Sequence, residues 1–169
     1  MQTAETIITI GSLVLLMLFT LTTNSHVAQD QMVMYQGGQV LEAVGLAQKF
    51  IEEAELLSFD ENKTGTEPGD FTYAGSLGPG WQETYETFDD IDDFNGFRAT
   101  LSTTSIPYTI DIKVYYVQPY SPYERANVRT YMKKMVVSIS SRAFSGQAEG
   151  AIRLEKIFAF HPFFEEEGA

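Results

Sequence analysis

Residues 1–23, MQTAETIITIGSLVLLMLFTLTT, carry one ionisable side chain, Glu5, and residues 7–21 are almost wholly apolar. As a helix rising 1.5 Å per residue, residues 7–21 cover only about 20 Å of a hydrocarbon layer roughly 30 Å thick. Thr9, Ser12 and Thr20 can return their hydroxyls to backbone carbonyls of the same helix. The segment can sit in a membrane, but it is short for a permanent span. A signal peptide or signal anchor carries Lys or Arg on its cytoplasmic flank, and the first Lys or Arg here is Lys49. The expectation is that a basic leader has been removed from the front.

An apolar helix without a charged leader, with Glu5, the run 7–21 and Met1 at the processed position, resembles the N-terminus of a mature type IV pilin. The resemblance covers about the first sixth of the chain. Of the Gly and Pro that many pilins place within this segment, only Gly11 is present, and no Pro precedes Pro68. In that family a prepilin peptidase cuts after a basic leader ending in Gly, and the new N-terminal residue is methylated. The resemblance implies assembly through Met1, Glu5, Ile7, Ile8, Ile10, Leu13, Leu16 and Phe19, buried between copies of the same helix.

Glu5 borders an apolar run, so its carboxylate must be paired, neutralised or left at a wet interface. One reading pairs it with the N-terminal amine of a neighbouring copy in a low-dielectric bundle. The other makes it a first-turn acid complementing the helix dipole for a few tenths of a kcal/mol, with Thr3 as N-cap. The missing basic flank favours pairing.

Beyond Ser25 the chain becomes more polar yet keeps helical spacing: Val33, Val40, Val44, Ala47, Ile51 and Ala54 form one face of a helix running to about Leu57, widened by Leu41, Met34 and Phe50. This face is expected to pack on a sheet. Gly37 and Gly38 each cost about 1 kcal/mol against Ala in a helix interior; they mark either a kinked turn or a close approach of neighbouring helices.

Residues 58–95 lose periodicity and are rich in Gly, Pro, Asp, Glu and Thr, which predicts a long surface connection with Trp81 and Phe88 tucked beneath it. Asn62-Lys63-Thr64 is an N-glycosylation sequon. Asp89, Asp90, Asp92 and Asp93, followed by Asn95 and Gly96, offer hard oxygen ligands before a Gly turn, and related pseudopilins bind Ca2+ in their loops. The spacing is not that of an EF-hand, and a solvated acidic turn is the favoured alternative.

From Phe97 the period changes to two. Residues 97–102, 108–117, 131–140 and 151–160 read as strands, with Ile110, Ile112, Val114 and Tyr116 on one face of the second and Met135, Val137 and Ile139 on one face of the third. Ile152, Leu154, Phe158 and Phe160 mark the fourth. The expected fold is α+β: a long N-terminal helix, apolar over 1–25 and amphipathic over 26–57, and a domain over 58–169. That domain has its connection at 58–95, a four-stranded antiparallel sheet at 96–160 and a solvated tail at 161–169. A helix followed by such a sheet is also the pilin ladle. Between the second and third strands, Tyr115, Tyr116, Tyr120 and Tyr123 alternate with Pro119 and Pro122, giving either a contact surface or a hairpin tip packed by its own rings.

Composition narrows the function. A net charge of −12 argues against nucleic acid as a partner, and the absence of cysteine excludes disulfides and thiolate metal sites. The two histidines, His26 and His161, lie far apart, and no nucleophile elbow or phosphate loop is present, so an enzyme is not expected. The leading expectation is a self-assembling filament subunit without a cofactor, resident in the inner membrane before assembly and extracellular afterwards. The resemblance implies a prepilin peptidase, an inner-membrane platform, an assembly ATPase and a secretin as partners. Two alternatives are a pseudopilin of type II secretion, marked by bound Ca2+, and a membrane-anchored monomeric binding domain using the tyrosine loop.

Overall fold

Helix α1 (Gln2–Glu55) opens the chain and is continuous through Gly37 and Gly38. The computed structural model describes residues 2–61, 67–102, 106–144 and 150–161. The chain divides into two compact units, Met1–Leu41 and Glu42–Ala169, and α1 contributes to both.

In the first unit, residues 3–38 of α1 are solvent-exposed. Thr9 Oγ1 donates to the carbonyls of Glu5 (3.0 Å) and Thr6 (2.9 Å), Ser12 Oγ to Thr9 O (2.9 Å) and Thr20 Oγ1 to Leu16 O (2.7 Å). Every polar side chain within the apolar run is thereby satisfied inside the helix, as a low-dielectric surrounding requires.

The second unit holds the last turns of α1 and five antiparallel strands: β1 (Arg98–Ser102), β2 (Pro107–Gln118), β3 (Ser121–Arg125), β4 (Met132–Ser141) and β5 (Ala151–Ala159). The order is β1-β2-β4-β5, with β3 pairing the end of β2. Tyr116 faces Lys133, Val114 faces Met135, Ile112 faces Val137 and Ile110 faces Ile139. All eight side chains are buried, so the two central strands supply one continuous inner face.

The helix docks through Ala43, Ala47, Phe50 and Ala54, spaced four, three and four residues apart. The expected face was centred one residue away: Ala47 and Ala54 are buried, Val40, Val44 and Ile51 are half-buried, and Val33, Met34 and Leu41 are exposed. Three alanines and one large ring, Phe50, thus make up the buried face of the helix. Polar contacts fix the seat: the Tyr108 hydroxyl donates to Glu42 Oε2 (2.7 Å), the Tyr85 hydroxyl donates to Glu53, and Lys156 pairs with Glu55 (2.6 Å). Phe50 meets Tyr85 and Phe97, with centroids 6.0 and 5.7 Å away.

Three findings differ from the sequence reading. The connection is not purely superficial, since Phe71, Leu77, Ile91 and Phe94 are buried and short 3-10 turns form at Pro68–Asp70, Tyr85–Thr87 and Asp92–Phe94. Trp81 is 92% exposed; Phe88 is half-buried against Phe94 at 5.2 Å, so only the second of these aromatics is tucked in. The tyrosine loop forms β3, an edge strand that tolerates Pro122 because an edge position leaves a missing N–H without penalty.

Ile112 is wholly enclosed on the inner face. Ile112→Ala is expected to lower unfolding free energy by about 2–5 kcal/mol through lost burial and a residual cavity. Urea unfolding of the detergent-solubilised chain, followed by circular dichroism, measures it.

Candidate functional site

Two features stand out, one in each unit. In the first, Ile7, Ile8, Ile10, Leu13, Leu16 and Phe19 are each more than half exposed, Phe19 reaching 71%. They are joined by Val14, Leu15, Met17, Leu18 and Leu21, so the apolar surface runs around the whole helix instead of along one stripe. A helix apolar on all sides belongs in lipid or among other helices. By length and composition it is able to cross a membrane. Glu5 is exposed in the first turn. Met1 and Asn62 lie outside the described residues, as does the tail beyond His161.

The second feature is a buried charge cluster. Directly after α1, Ser58 N–H donates to Asp89 O (3.1 Å) and Ser58 O accepts from Ile91 N–H (3.0 Å), which brings the acidic run beside Asp60. Lys133 reaches this place from β4. Its side chain has the parity of Met135, Val137 and Ile139, so it points inward at the end of the apolar face and is 0% exposed. Lys133 Nζ donates to Asp60 Oδ2 (2.8 Å), to Asp92 Oδ1 and to Phe59 O (2.6 Å). The Phe59 and Tyr116 rings close around it, with centroids 4.6 and 5.4 Å from Nζ.

Asp60 receives further donors: Thr72 N–H at 3.1 and 3.0 Å from its two oxygens, Thr72 Oγ1 at 3.1 Å and the Tyr116 hydroxyl at 3.2 Å. Tyr116 Oη also lies 2.9 Å from Thr72 O, to which it can donate. Burial pushes the Tyr116 hydroxyl pKa upward, and the Asp60 and Asp92 charges add to the rise.

The four aspartates of the acidic run have separate roles. Asp90 Oδ1 accepts from the backbone N–H groups of Asp92 (2.7 Å) and Asp93 (3.2 Å), and Asp93 Oδ2 accepts from those of Asp89 (3.0 Å) and Asp90 (3.2 Å). Asp92 turns to Lys133. Asp90, Asp92 and Asp93 are buried, so the turn is not solvated as a whole. Oxygens of Asp89 and Asp93 come within 4.8 Å of one another and of Glu83, whereas Asp90 and Asp92 are not part of that group. Gly96, at φ +85°, supplies the left-handed residue that ends the turn.

Sequence reasoning missed Lys133 and Asp60. The available signal was parity: the alternation that places Met135, Val137 and Ile139 inside also places Lys133 inside, where a charge demands acidic partners.

Burial pushes the Asp90 carboxyl up to about 8; the Asp92 and Asp93 charges and a hydrogen bond with Asp92 add to the rise, and Lys133 opposes it. Burial likewise lifts Asp93 to about 6, against the opposing pull of the Asp89 and Asp90 N–H groups. The folded chain therefore holds the Asp90 proton more tightly than the unfolded chain. Between an ordinary value of 3.8 and about 8, folding takes up a proton, so stability is greatest at the acidic end and falls as pH rises. Asp90→Asn keeps the acceptor oxygen and resembles the protonated acid. It is expected to make the chain more stable than the parent near pH 8 and equal to it at the acidic end, leaving only the shallower slope of Asp93 below about 6. Urea midpoints measured across this pH range test it.

No known protein family, curated protein or solved structure matches this chain.

Proposed function

We propose that this chain is a structural subunit of a type IV pilus-like filament, held in the inner membrane by its N-terminal helix before assembly and extracellular afterwards. The observation that carries the reading is the solvent-exposed apolar surface at residues 7–21, on the same continuous helix whose last turns are seated on an antiparallel sheet. Exposed apolar area of this extent must be covered, by lipid while the subunit is stored and by other helices once it is assembled.

Helices of neighbouring subunits would form the filament core through Ile7, Ile8, Ile10, Leu13, Leu16 and Phe19. The chain carries 23 acidic against 11 basic residues, nearly all of them beyond residue 41, so the domains would give the filament an acidic exterior unsuited to nucleic acid. No chemistry is asked of the subunit, so the reading needs neither catalysis nor a cofactor. The assembly machinery implied by the family resemblance, from prepilin peptidase to secretin, belongs to the same proposal.

Removing residues 1–25 is expected to yield a soluble monomer whose far-ultraviolet circular dichroism keeps the sheet signal. Filaments formed by that truncated chain would place the assembly surface elsewhere. Full-length chains that remain monomeric in the membrane when the assembly machinery is present would favour the anchored binding domain instead.

Glu5 supplies the second test. In a helix bundle an unpaired carboxylate costs several kcal/mol, and the N-terminal amine of an adjacent copy is a cation available at that depth. Glu5→Gln keeps the size and removes the charge, so the subunit is expected to fold and insert normally while filament yield falls at least tenfold. Electron microscopy of filaments beside immunoblots of the membrane fraction separates the two effects. Normal filament yield would reduce Glu5 to a first-turn acid.

A further inference from the structure

Lys133 is enclosed in a manner unusual for a simple ion pair. The side chains of Lys133, Asp60 and Asp92 are 0%, 2% and 3% exposed, so one ammonium faces two carboxylates in a wall formed by the Phe59 and Tyr116 rings. Desolvating three charged groups is expensive, and the cluster keeps one negative charge in excess. A neutral amide joining Lys133 to Asp60 lowers the number of desolvated charges from three to one, that of Asp92.

The two acids are not equivalent partners for such a bond. Thr72 N–H and Thr72 Oγ1 donate to Asp60 oxygens at 3.0–3.1 Å, and the single Tyr116 hydroxyl proton, shared between Thr72 O (2.9 Å) and Asp60 (3.2 Å), can turn to Asp60 as negative charge develops there during attack on the carboxyl carbon. Asp92 accepts from the same Nζ and is placed to take up its proton.

We infer that Lys133 and Asp60 become joined by an intramolecular isopeptide bond, with Asp92 as proton carrier. Asp92 accepts one proton from the Lys133 ammonium, freeing the nitrogen lone pair. That proton passes to a carboxylate oxygen of Asp60, and Nζ attacks Cγ of the resulting neutral carboxyl, forming the N–C bond while the carbonyl π pair moves onto oxygen as a single oxyanion held by Thr72 and Tyr116. One C–O bond then breaks, and its oxygen leaves as water with two of the three original ammonium protons, one of them delivered by Asp92. The third proton stays on the amide nitrogen, and Asp92 returns to its carboxylate form. The reaction consumes an ammonium and a carboxylate, yields an amide and water, and needs no oxidant or co-reactant. The fold supplies the driving proximity: Nζ is held 2.8 Å from its target carboxylate, where confined reactants behave as if at very high concentration.

The bond would span 73 positions of sequence and fasten the start of the connection to the central strand β4. Closing so long a loop restricts the unfolded chain, so the cross-linked domain would resist thermal and mechanical unfolding. This inference does not depend on the filament reading, because every group involved belongs to the second unit.

The test is intact-protein mass spectrometry of the purified full-length chain under denaturing conditions. The expected mass is lower than the covalent sum of the residues by one water. Digestion should release one branched peptide carrying Asp60 on one arm and Lys133 on the other, identified by fragmentation. An intact mass equal to the full sum, or a water loss without the branched peptide, overturns the proposal; the second result would indicate cyclisation at another aspartate. Asp92→Asn retains an acceptor for Lys133 but cannot carry the proton. That variant is expected to fold, by circular dichroism, and to show the full mass with at least a tenfold loss of branched peptide. Cross-linking of folded Asp92→Asn at the parental level would overturn the role given to Asp92.

Discussion

The buried meeting of Lys133 with Asp60 and Asp92, an ion cluster until any cross-link forms, is the contact on which the domain's architecture turns. Removing one member of a buried pair costs about 3–5 kcal/mol because the others remain charged and dry. Here the contact also transmits position. Asp92 begins the short turn Asp92–Phe94, and Phe94 and Phe97 enter the aromatic group that includes Tyr85, Phe88 and Phe50 of α1. On the other side, Asp60 engages Thr72 and Tyr116, beside the cluster of Phe71, Leu77, Tyr116 and Ala126 with Phe59 and Phe160. One ion cluster thus ties the connection to the sheet and, through the aromatic group, to the seated end of the helix.

Such a device explains why a segment rich in Gly, Pro and acid can have a defined path. Its hydrophobic residues are too few and too scattered to specify a fold by periodicity. Specific polar contacts do so instead: the Ser58 bridge to the Asp89–Ile91 backbone, the backbone N–H groups capped by side-chain oxygens of Asp90 and Asp93, and Asn95, whose Nδ2 donates to Leu77 O (2.8 Å) and whose Oδ1 accepts from Val114 N–H (3.0 Å). Each joins residues that sequence spacing alone would not bring together.

The α+β class, the long helix and the four main strands were legible in sequence because each rests on a repeating local pattern. β3 was not, since Pro119 and Pro122 read as turn residues and edge pairing leaves little periodic trace. Ala47, Phe50 and Ala54 of the expected helix face are buried, whereas Ala43, which carries little hydrophobic weight, was not foreseen and takes the place expected for Val44. The acidic run was legible as a turn but not as a buried one: the partner of Asp92 lies 41 residues away, and no local rule announces it. Trp81 shows the converse limit, as an aromatic side chain is inward only where the backbone gives it a place to go.

The apolar part of α1 presents a different balance. Its helicity and the hydroxyl-to-carbonyl bonds of Thr9, Ser12 and Thr20 follow from local chemistry, whereas its covering requires molecules other than this chain. Under the filament reading, domains of net negative charge repel one another as they gather. That repulsion is screened beyond about 8 Å at physiological salt. Contacts between apolar helices carry no such penalty and are largely insensitive to salt. Cohesion would therefore reside in residues 7–21 and repulsion in the acidic domains, a division that keeps the surface soluble while the core holds. Glu5 is then the one ionisable side chain bordering that cohesive run, and its pairing with a neighbouring N-terminal amine would affect subunit registry more than total stability.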